Sequence, residues 1–474
     1  MVEYRPSFME ELEFDAFFLR HRIALEVQGA QHRLHNTSWY KDIKKLEDIV
    51  DRDRIDMKSF IDVSPDSHFP IQNLPFGIFS TDHDEIMSSR VGVAIGDQIL
   101  DLTAMCPLFE KHVPELKNPT LVFSQSSLNM FMSLGKPIWQ ATRKFLQSIL
   151  SEDNPELRDS KELRTKAFVP QKQAKLHLPV NIGHYSDFYA SKEHASNCGI
   201  MFRGKDNALM PNWLHLPVGY HGRASSIVVS GTDIARPSGQ RSPGKGQPPV
   251  FGPSVKLDYE LEMAFFVGTG NKLGERIPIQ QTRDHIFGMV VMNDWSSRDI
   301  QAWEYVPLGP FLSKSFGTTI SPWVVTLDAL EPFLDPTPFP YLQEKGKTAY
   351  NINLEAKMKP CDASTYKTLT RSNLKYMYWS ISQQLAHHTV NGCNMGTGDL
   401  CGTGTISGPG DDAKGSLLEI TYNGRDEIDF GNGIKRLFVE DGDEIVMTGY
   451  CQGEGYKVGF GECCCKIVPT TYRE

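Results

Sequence analysis

Three acids at alternate positions, Asp258, Glu260 and Glu262, run straight into the apolar stretch Ala264, Phe265, Phe266 and Val267. Strand side chains change face at every residue, so this spacing predicts an extended segment with the carboxylates on one face and Tyr259, Leu261 and Met263 on the other. Like charges on a strand that enters a core repel one another and lose hydration, and they require a cation. Ligands made only of oxygen suit a hard ion such as Mg2+, Ca2+ or Mn2+ better than zinc. Taken alone, the plainer reading is an edge strand with a solvated acidic face. Charged and polar clusters elsewhere in the chain reverse that preference.

A chain of 474 residues, 40% of them hydrophobic, can bury more than one core, so a multidomain globular protein is expected. The net charge of −9, with acids and bases mixed throughout, argues against attraction to nucleic acid or to an anionic membrane. No stretch approaches the roughly 18 uninterrupted apolar residues of a membrane span. Glu3, Glu10, Glu11, Glu13 and Asp15 make the N-terminus too acidic for a secretory or transit signal, and a cytoplasmic protein is the expectation. The nine cysteines follow no spaced framework. Cys463, Cys464 and Cys465 are adjacent, point to alternate faces and cannot readily close a tetrahedral site, so free thiols in a reducing compartment are expected.

Residues 1–58 read differently from the rest. Around Asp15, and around Glu26 and Gln28, they resemble the paired strands of a restriction-endonuclease-like core, where an Asp and a Glu-x-Gln or Glu-x-Lys hold a metal ion. Such folds need about twice this length to close a core. The segment is therefore read as a truncated fusion or an upstream exon joined near Met57, with a charged helical extension as the alternative; residues 41–58 are dense in charge and would be exposed if helical.

From Ser59 the pattern is that of a small β-rich unit. Residues 91–95 and 98–102 read as two strands around a tight turn at Gly96 and Asp97. Leu128, Met130, Phe131 and Leu134, then Trp139, Phe145, Leu146 and Ile149, mark an amphipathic helix pair, and polar residues 151–166 are the candidate linker. From residue 177 the chain is rich in Gly, Pro and short β-branched or aromatic runs, and so mostly strand and loop. One helix is expected over 372–390, from the stripe Leu374, Met377, Tyr378, Ile381, Leu385 and His388, ended by Asn391 and Gly392.

Two further clusters carry chemistry. Asp187 and His194 lie between Gly183 and Gly199 in a window suited to a short helix. Seven residues apart, they would face one way about 10 Å from each other, a metal ligand at one end of a substrate and a proton acceptor at the other. A surface helix with an incidental histidine is the alternative. Asp294 ends the apolar run 286–292 and would add a carboxylate to the ion. Arg298 and Gln301, three apart, would share a helical face and present donors to a developing oxyanion, while Lys314 supplies a fixed positive charge and Thr318 a neutral oxygen. An ordinary salt-bridged loop would account for each of these singly.

Other signals fall away. The pairs Gly268/Gly270, Gly402/Gly404 and Gly453/Gly455 each have the next glycine four residues on, not three, which leaves a dinucleotide fingerprint unsupported. There is no Gly-x-Ser-x-Gly elbow and no Gly-x4-Gly-Lys-Ser/Thr phosphate loop. His387 and His388 sit on the helical stripe, where packed or helix-terminal histidines are the ordinary case.

With Asp187, Tyr189 and His194, then Asp258-x-Glu260-x-Glu262, Asp294 and Arg298, and Lys314 to Thr318 in this order, the chain resembles the fumarylacetoacetase family from about residue 59 to near its C-terminus. Unbroken stretches at 69–77, 212–223 and 404–408 carry the same likeness. The resemblance implies a mainly β, α+β fold: a small SH3-like N-terminal barrel with a helical linker over 59–176, then a larger β-roll catalytic domain over 177–474. It implies a homodimer that cleaves 4-fumarylacetoacetate with water into fumarate and acetoacetate, the last step of tyrosine and phenylalanine catabolism.

By motif, the resemblance makes Asp187, Glu260, Glu262 and Asp294 ligands of Ca2+ or Mg2+, with Lys314 and Thr318 around a second, magnesium position. A protonated lysine cannot ligate, so Lys314 is read as a neighbour of the ion. It makes His194 the base, oriented by Glu419, and Arg298, Gln301 and Lys314 the oxyanion site. Tyr189, Arg203, Tyr220, Gln301, Tyr305 and Thr405 become substrate contacts, Arg203 being suited to a carboxylate end. The nearest alternative is an acylpyruvate hydrolase-like enzyme on another 2-oxo or diketo acid. A metal-stabilised binding protein without catalysis would need the ion and not the base.

Overall fold

Gly96, at φ +56, turns strand Arg90–Ile95 into strand Gln98–Asp101, as the pattern over 91–102 predicts. The computed structural model describes residues 57–81, 89–244, 246–336 and 347–472, together with strands Phe14–Phe17 and Ala24–Val27. Strands Arg90–Ile95 and Gln98–Asp101 lie inside a five-stranded antiparallel sheet, flanked by Phe76–Thr81 and Phe168–Pro170 and finished by Ala174–His177. The two edge strands are consecutive in the chain, separated only by the turn Gln171–Gln173. The sheet must therefore curl until its edges approach each other, which makes it the small SH3-like barrel.

The expected helix pair is the short Asn129–Met132 and the long Lys136–Leu150, the latter burying Trp139, Leu146, Ile149 and Leu150. Residues 151–166 are more than a polar link. They form two short helices, Pro155–Arg158 and Lys161–Ala167, with Asn154 and Ser160 accepting from the first-turn amides, and they bury Leu157 and Ala167. Two apolar residues are enough to anchor this segment, and that is why its composition reads as linker.

The larger domain is built on an eight-stranded mixed sheet. Its order is Ile227–Val229, Thr318–Ile320, Ile286–Asp294, Leu261–Val267, Leu400–Gly402, Tyr185–Phe188 and Gly219–Gly222, with Val325–Thr326 alongside Ile286–Asp294. Both faces of this sheet are covered. Leu261, Met263, Phe265 and Val267 join the large core, whereas Ala264 and Phe266, on the opposite face, join the core that contains Phe76, Phe131 and Trp139 of the small domain. A second sheet of five strands, centred on Glu444–Gln452 and Lys457–Val468, packs on the first face. There Gly449 admits the Val291 side chain, which a Cβ would meet at 3.0 Å.

The helix expected over 372–390 is shorter. Strand Lys367–Asn373 and the turn Leu374–Tyr376 occupy its first half, and the helix runs only from Ile381 to Thr389. Ser380 starts it, in a capping box with Gln383. Cys463 and Cys465 are buried, Cys464 lies between them, and all nine cysteines are unpaired.

The chain divides into compact units at Met1–Asp56 and Met57–Glu474. In the first, Phe14–Phe17 pairs antiparallel with Ala24–Val27, and Asp15 stands opposite Glu26. Gln28 and residues 41–56 lie outside the described residues. Among the described residues, no helix is long and apolar enough to cross a membrane.

Candidate active site

Three strands of the eight-stranded sheet deliver the acids, with Leu400–Gly402 between the strands of Glu262 and Asp187. Glu262 is the second residue of Leu261–Val267, Asp294 the last of Ile286–Asp294, and Asp187 the third of Tyr185–Phe188. One oxygen from each of these three buried carboxylates lies within 4.8 Å of the others. Gly402 makes the convergence possible, because it pairs with both Ala264 and Asp187. A Cβ there would meet Asp187 Oδ1 at 2.5 Å and Glu262 Oε2 at 3.2 Å. Two residues on, the Gly404 amide donates to those same oxygens, at 3.2 and 3.0 Å. Gly402→Ala is therefore expected to weaken divalent-ion binding about 10- to 100-fold, the range seen when support around a ligand set is disturbed. Calorimetric titration of the folded variant checks it, and unchanged affinity would contradict the reading.

The alternating acids meet different counter-charges. Asp258 accepts from Arg298 Nε at 2.8 Å and from the Leu417 and Leu418 amides at 2.7 and 2.9 Å. Glu260 pairs with Arg298 Nη1 at 2.7 Å and with Lys314 Nζ. Lys314 also reaches Asp294 Oδ2 at 2.8 Å, and Asp294 accepts from the Tyr220 hydroxyl at 2.8 Å and from Thr318 Oγ1 at 2.9 Å. Glu262 is left with an Oε1 that is buried and has no partner among the described residues.

Electrostatics follow this division. Burial opposes ionisation of Glu260, but Lys314 and Arg298 outweigh it and hold the carboxyl below its ordinary range. Asp187 and Glu262 feel Lys314 only from a distance, and burial first, then the neighbouring carboxylates, outweigh it and push both well above the usual carboxylate range. Against burial, Asp294 and Glu260 hold Lys314 in its protonated form. It is a charge beside the cluster and has no lone pair to offer. An orphaned carboxylate oxygen among three converging acids fits a hard divalent cation.

The proposed base is set differently from the helical window expected for it. Tyr185–Phe188 is a strand, paired with Gly219–Gly222 on one side and Leu400–Gly402 on the other. The helix begins only at Lys192, where Ser191 Oγ accepts from the His194 amide at 3.3 Å. Asp187 and His194 thus belong to different elements. His194 Nδ1 lies 2.7 Å from Glu419 Oε2. Asn197 Nδ2, Ser407 Oγ and Ser416 Oγ also donate to Glu419, at 2.8, 2.9 and 3.0 Å. Nδ1–H donating to Glu419 leaves Nε2 as the basic atom. Burial disfavours the imidazolium, yet Cys198 and Glu419 outweigh it and raise the His194 pKa well above its ordinary value.

Tyr189 stands edge-on to His194, their rings 5.4 Å apart. Gln301, one helical turn from Arg298, has Oε1 at 3.5 Å from Arg298 Nη1. Thr405 is buried directly after Gly404. Two predicted contacts stand apart from this group. The Arg203 guanidinium is exposed and donates to the Asn207 and Ala208 carbonyls at 3.0 and 2.7 Å, while Tyr305, at the end of helix Arg298–Glu304, is 49% exposed. Sequence reasoning missed Asn197, Ser407 and Ser416 around Glu419, and it missed the Gly404 amide. Asn197, three residues after His194 on one helix, and Ser416, three residues before Glu419, carried a spacing signal.

A buried imidazole oriented by a carboxylate, set with a guanidinium, an ammonium and acids ready for a cation, is the equipment of a hydrolytic enzyme. Comparison with known proteins narrows the class. Residues 72–179 match the family profile of the fumarylacetoacetase N-terminal domain, and residues 183–468 that of the fumarylacetoacetate hydrolase C-terminal domain. The fumarylacetoacetases of Rattus norvegicus and Homo sapiens are each 58% identical to this chain over 417 residues, which is 87% of this chain and 99% of each relative. That of Arabidopsis thaliana is 55% identical over 422 residues, with the same coverage. The chain belongs to the fumarylacetoacetase family.

Proposed function

We propose that this protein hydrolyses the carbon–carbon bond of 4-fumarylacetoacetate to fumarate and acetoacetate, closing tyrosine and phenylalanine breakdown. The observation that carries the chemistry is the unpartnered Glu262 Oε1 among three converging carboxylates, in the domain that holds the His194–Glu419 pair. Breaking a bond between two ketone-bearing fragments requires water to attack one carbonyl and the other fragment to leave with a carbanion's electrons. Negative charge therefore develops in two places.

His194 Nε2 takes the proton from the attacking water, Glu419 stabilises the imidazolium that results, and that proton is returned to the carbon of the departing fragment. Arg298 and Gln301 supply donors to the tetrahedral oxyanion: Arg298 Nη2 is buried without a partner, and Gln301, accepting from Arg298 through Oε1, keeps its Nε2 free to donate. Lys314 adds positive charge while holding Glu260 and Asp294 in place. When held by Asp187, Glu262 and Asp294, with Thr318 supporting Asp294, a divalent cation, Mg2+ or Ca2+, supplies positive charge for the diketone and for the departing fragment. Glu260, placed in the same ligand set by motif, serves here to anchor Arg298 and Lys314. Tyr189, Tyr220 and Thr405 line the substrate, and Arg203 and Tyr305 reach it from exposed segments.

A cytoplasmic homodimer is part of the same proposal. Trp303, Leu308, Phe311 and Leu312 form an exposed apolar run beside the helix that carries Arg298, Leu308 being 96% exposed, and a second copy would cover it. The direct test monitors loss of the substrate's diketone absorbance. Chelation is expected to abolish turnover, and added Mg2+ or Ca2+ to restore it. Turnover that persists at full rate in chelator would remove the ion from the reaction.

A further inference from the structure

The hydroxyl of Tyr185 is a second orphaned oxygen beside this site, after Glu262 Oε1. Tyr185 is 3% exposed, and its oxygen, like Glu262 Oε1, is buried with no hydrogen-bond partner among the described residues. Buried polar atoms are paired as a rule, so two unpaired oxygens on the sheet face that carries the converging carboxylates ask for a common explanation. Tyr185 and Asp187 are two residues apart on one strand and so share a face. That face is the one carrying Glu262 and Ala264: Tyr185 packs in the same core cluster as Ala264, Phe266, Met292 and Leu400.

The ring cannot easily turn away. It lies against Gly222, the residue opposite it on the neighbouring strand, where a Cβ would meet its Cδ1 at 2.1 Å. Tyr220, opposite Asp187 on that strand, gives its hydroxyl directly to Asp294. Tyr185 has no such acceptor. A phenol can both donate and accept, and this one is buried on the face of the sheet that carries Asp187, bonded to none of the carboxylates.

Resting on the reading of Asp187, Glu262 and Asp294 as an ion site, we propose that Tyr185 is a positioning residue whose hydroxyl holds a water of the bound ion's hydration shell, while Glu262 Oε1 faces the ion. Mg2+ gives up its waters reluctantly and is usually bound through a few carboxylates plus retained water, whereas Ca2+ takes more protein oxygens in a looser shell. A hydroxyl that holds such a water therefore favours Mg2+ over Ca2+. Removing only that oxygen should leave the packing of the ring unchanged and weaken the two ions unequally.

The experiment titrates Mg2+ alone and Ca2+ alone, by isothermal calorimetry, into chelator-stripped full-length protein, Tyr185→Phe and Glu262→Gln. Tyr185→Phe is expected to weaken Mg2+ binding about tenfold, the lower end of outer-shell effects, and Ca2+ binding by less than about threefold. Its thermal midpoint without metal should equal or exceed that of the parent. Unchanged Mg2+ affinity, or equal loss for both ions, overturns the role of Tyr185. Glu262→Gln keeps the two readings separate: if it leaves ion binding intact, the ion site itself is misplaced, and if it abolishes binding while Tyr185→Phe changes nothing, only the inference on Tyr185 fails.

Discussion

His194→Ala is expected to lower kcat about 10²- to 10⁴-fold, the usual contribution of a positioned general base, without loss of fold or of ion binding. Its companion, Glu419→Gln, separates orientation from charge. The negative partner is part of what holds the His194 pKa up against burial. A base works only when neutral, so the acidic limb of the kcat/KM profile marks the pH at which His194 gives up its proton. With Glu419 neutralised, only Cys198 still opposes burial, and the imidazole loses that proton at lower pH. The limb should therefore move to lower pH while the plateau falls, because Gln no longer fixes one tautomer as firmly. A limb that stays put, or moves to higher pH, would mean that His194 is not the titrating group.

Arg298 carries the second large effect, and here the structure alters a simple expectation. Read from the motif alone, Arg298→Ala should be a folded enzyme short of one oxyanion donor, slower by about 10²- to 10³-fold. Yet Arg298 is 7% exposed and clamped between Asp258 and Glu260. Breaking a buried pair by removing one partner typically costs about 3–5 kcal/mol, because a buried charge is left uncompensated. Lys314 still serves Glu260, and two amides still serve Asp258, so the loss should sit toward the lower end. Chemical denaturation of Arg298→Ala should show that loss. Adding Asp258→Asn should recover much of it and none of the rate. If the double substitution restored turnover, the guanidinium would be acting as a structural cation and not on the substrate.

Much of this arrangement was legible because strand alternation is a local property. Asp258, Glu260 and Glu262 do face away from Tyr259, Leu261 and Met263, and the turn at Gly96 and the amphipathic stripe of Lys136–Leu150 were equally plain. What alternation cannot say is which cation each acid meets. Glu419 lies 225 residues from His194, and Leu418 160 from Asp258, so these pairings appear only when distant segments are brought together by the sheets. The same limit explains Asp187 and His194. Their spacing suits one helix, but Tyr185–Phe188 has ladder partners on both sides that no local pattern announces, and Ser191 could be read as a helix start only once that strand was known. Ser380 with Gln383 was a local signal within reach, overshadowed by an apolar stripe that belongs partly to a strand and a turn.

Glu262 emerges from the same side of the Leu261–Val267 strand as Ala264 and Phe266, which pack in one core cluster with Phe76 and Phe131 of the small domain, so the sheet that carries the carboxylates is backed by another domain's interior. That domain contributes no reactive group, yet it sets how dry and how rigid the reactive face is. Enlarging or hollowing residues such as Phe76 or Phe131 should accordingly register as lost catalysis before it registers as unfolding, and a disabling lesion in this enzyme need lie nowhere near its chemistry.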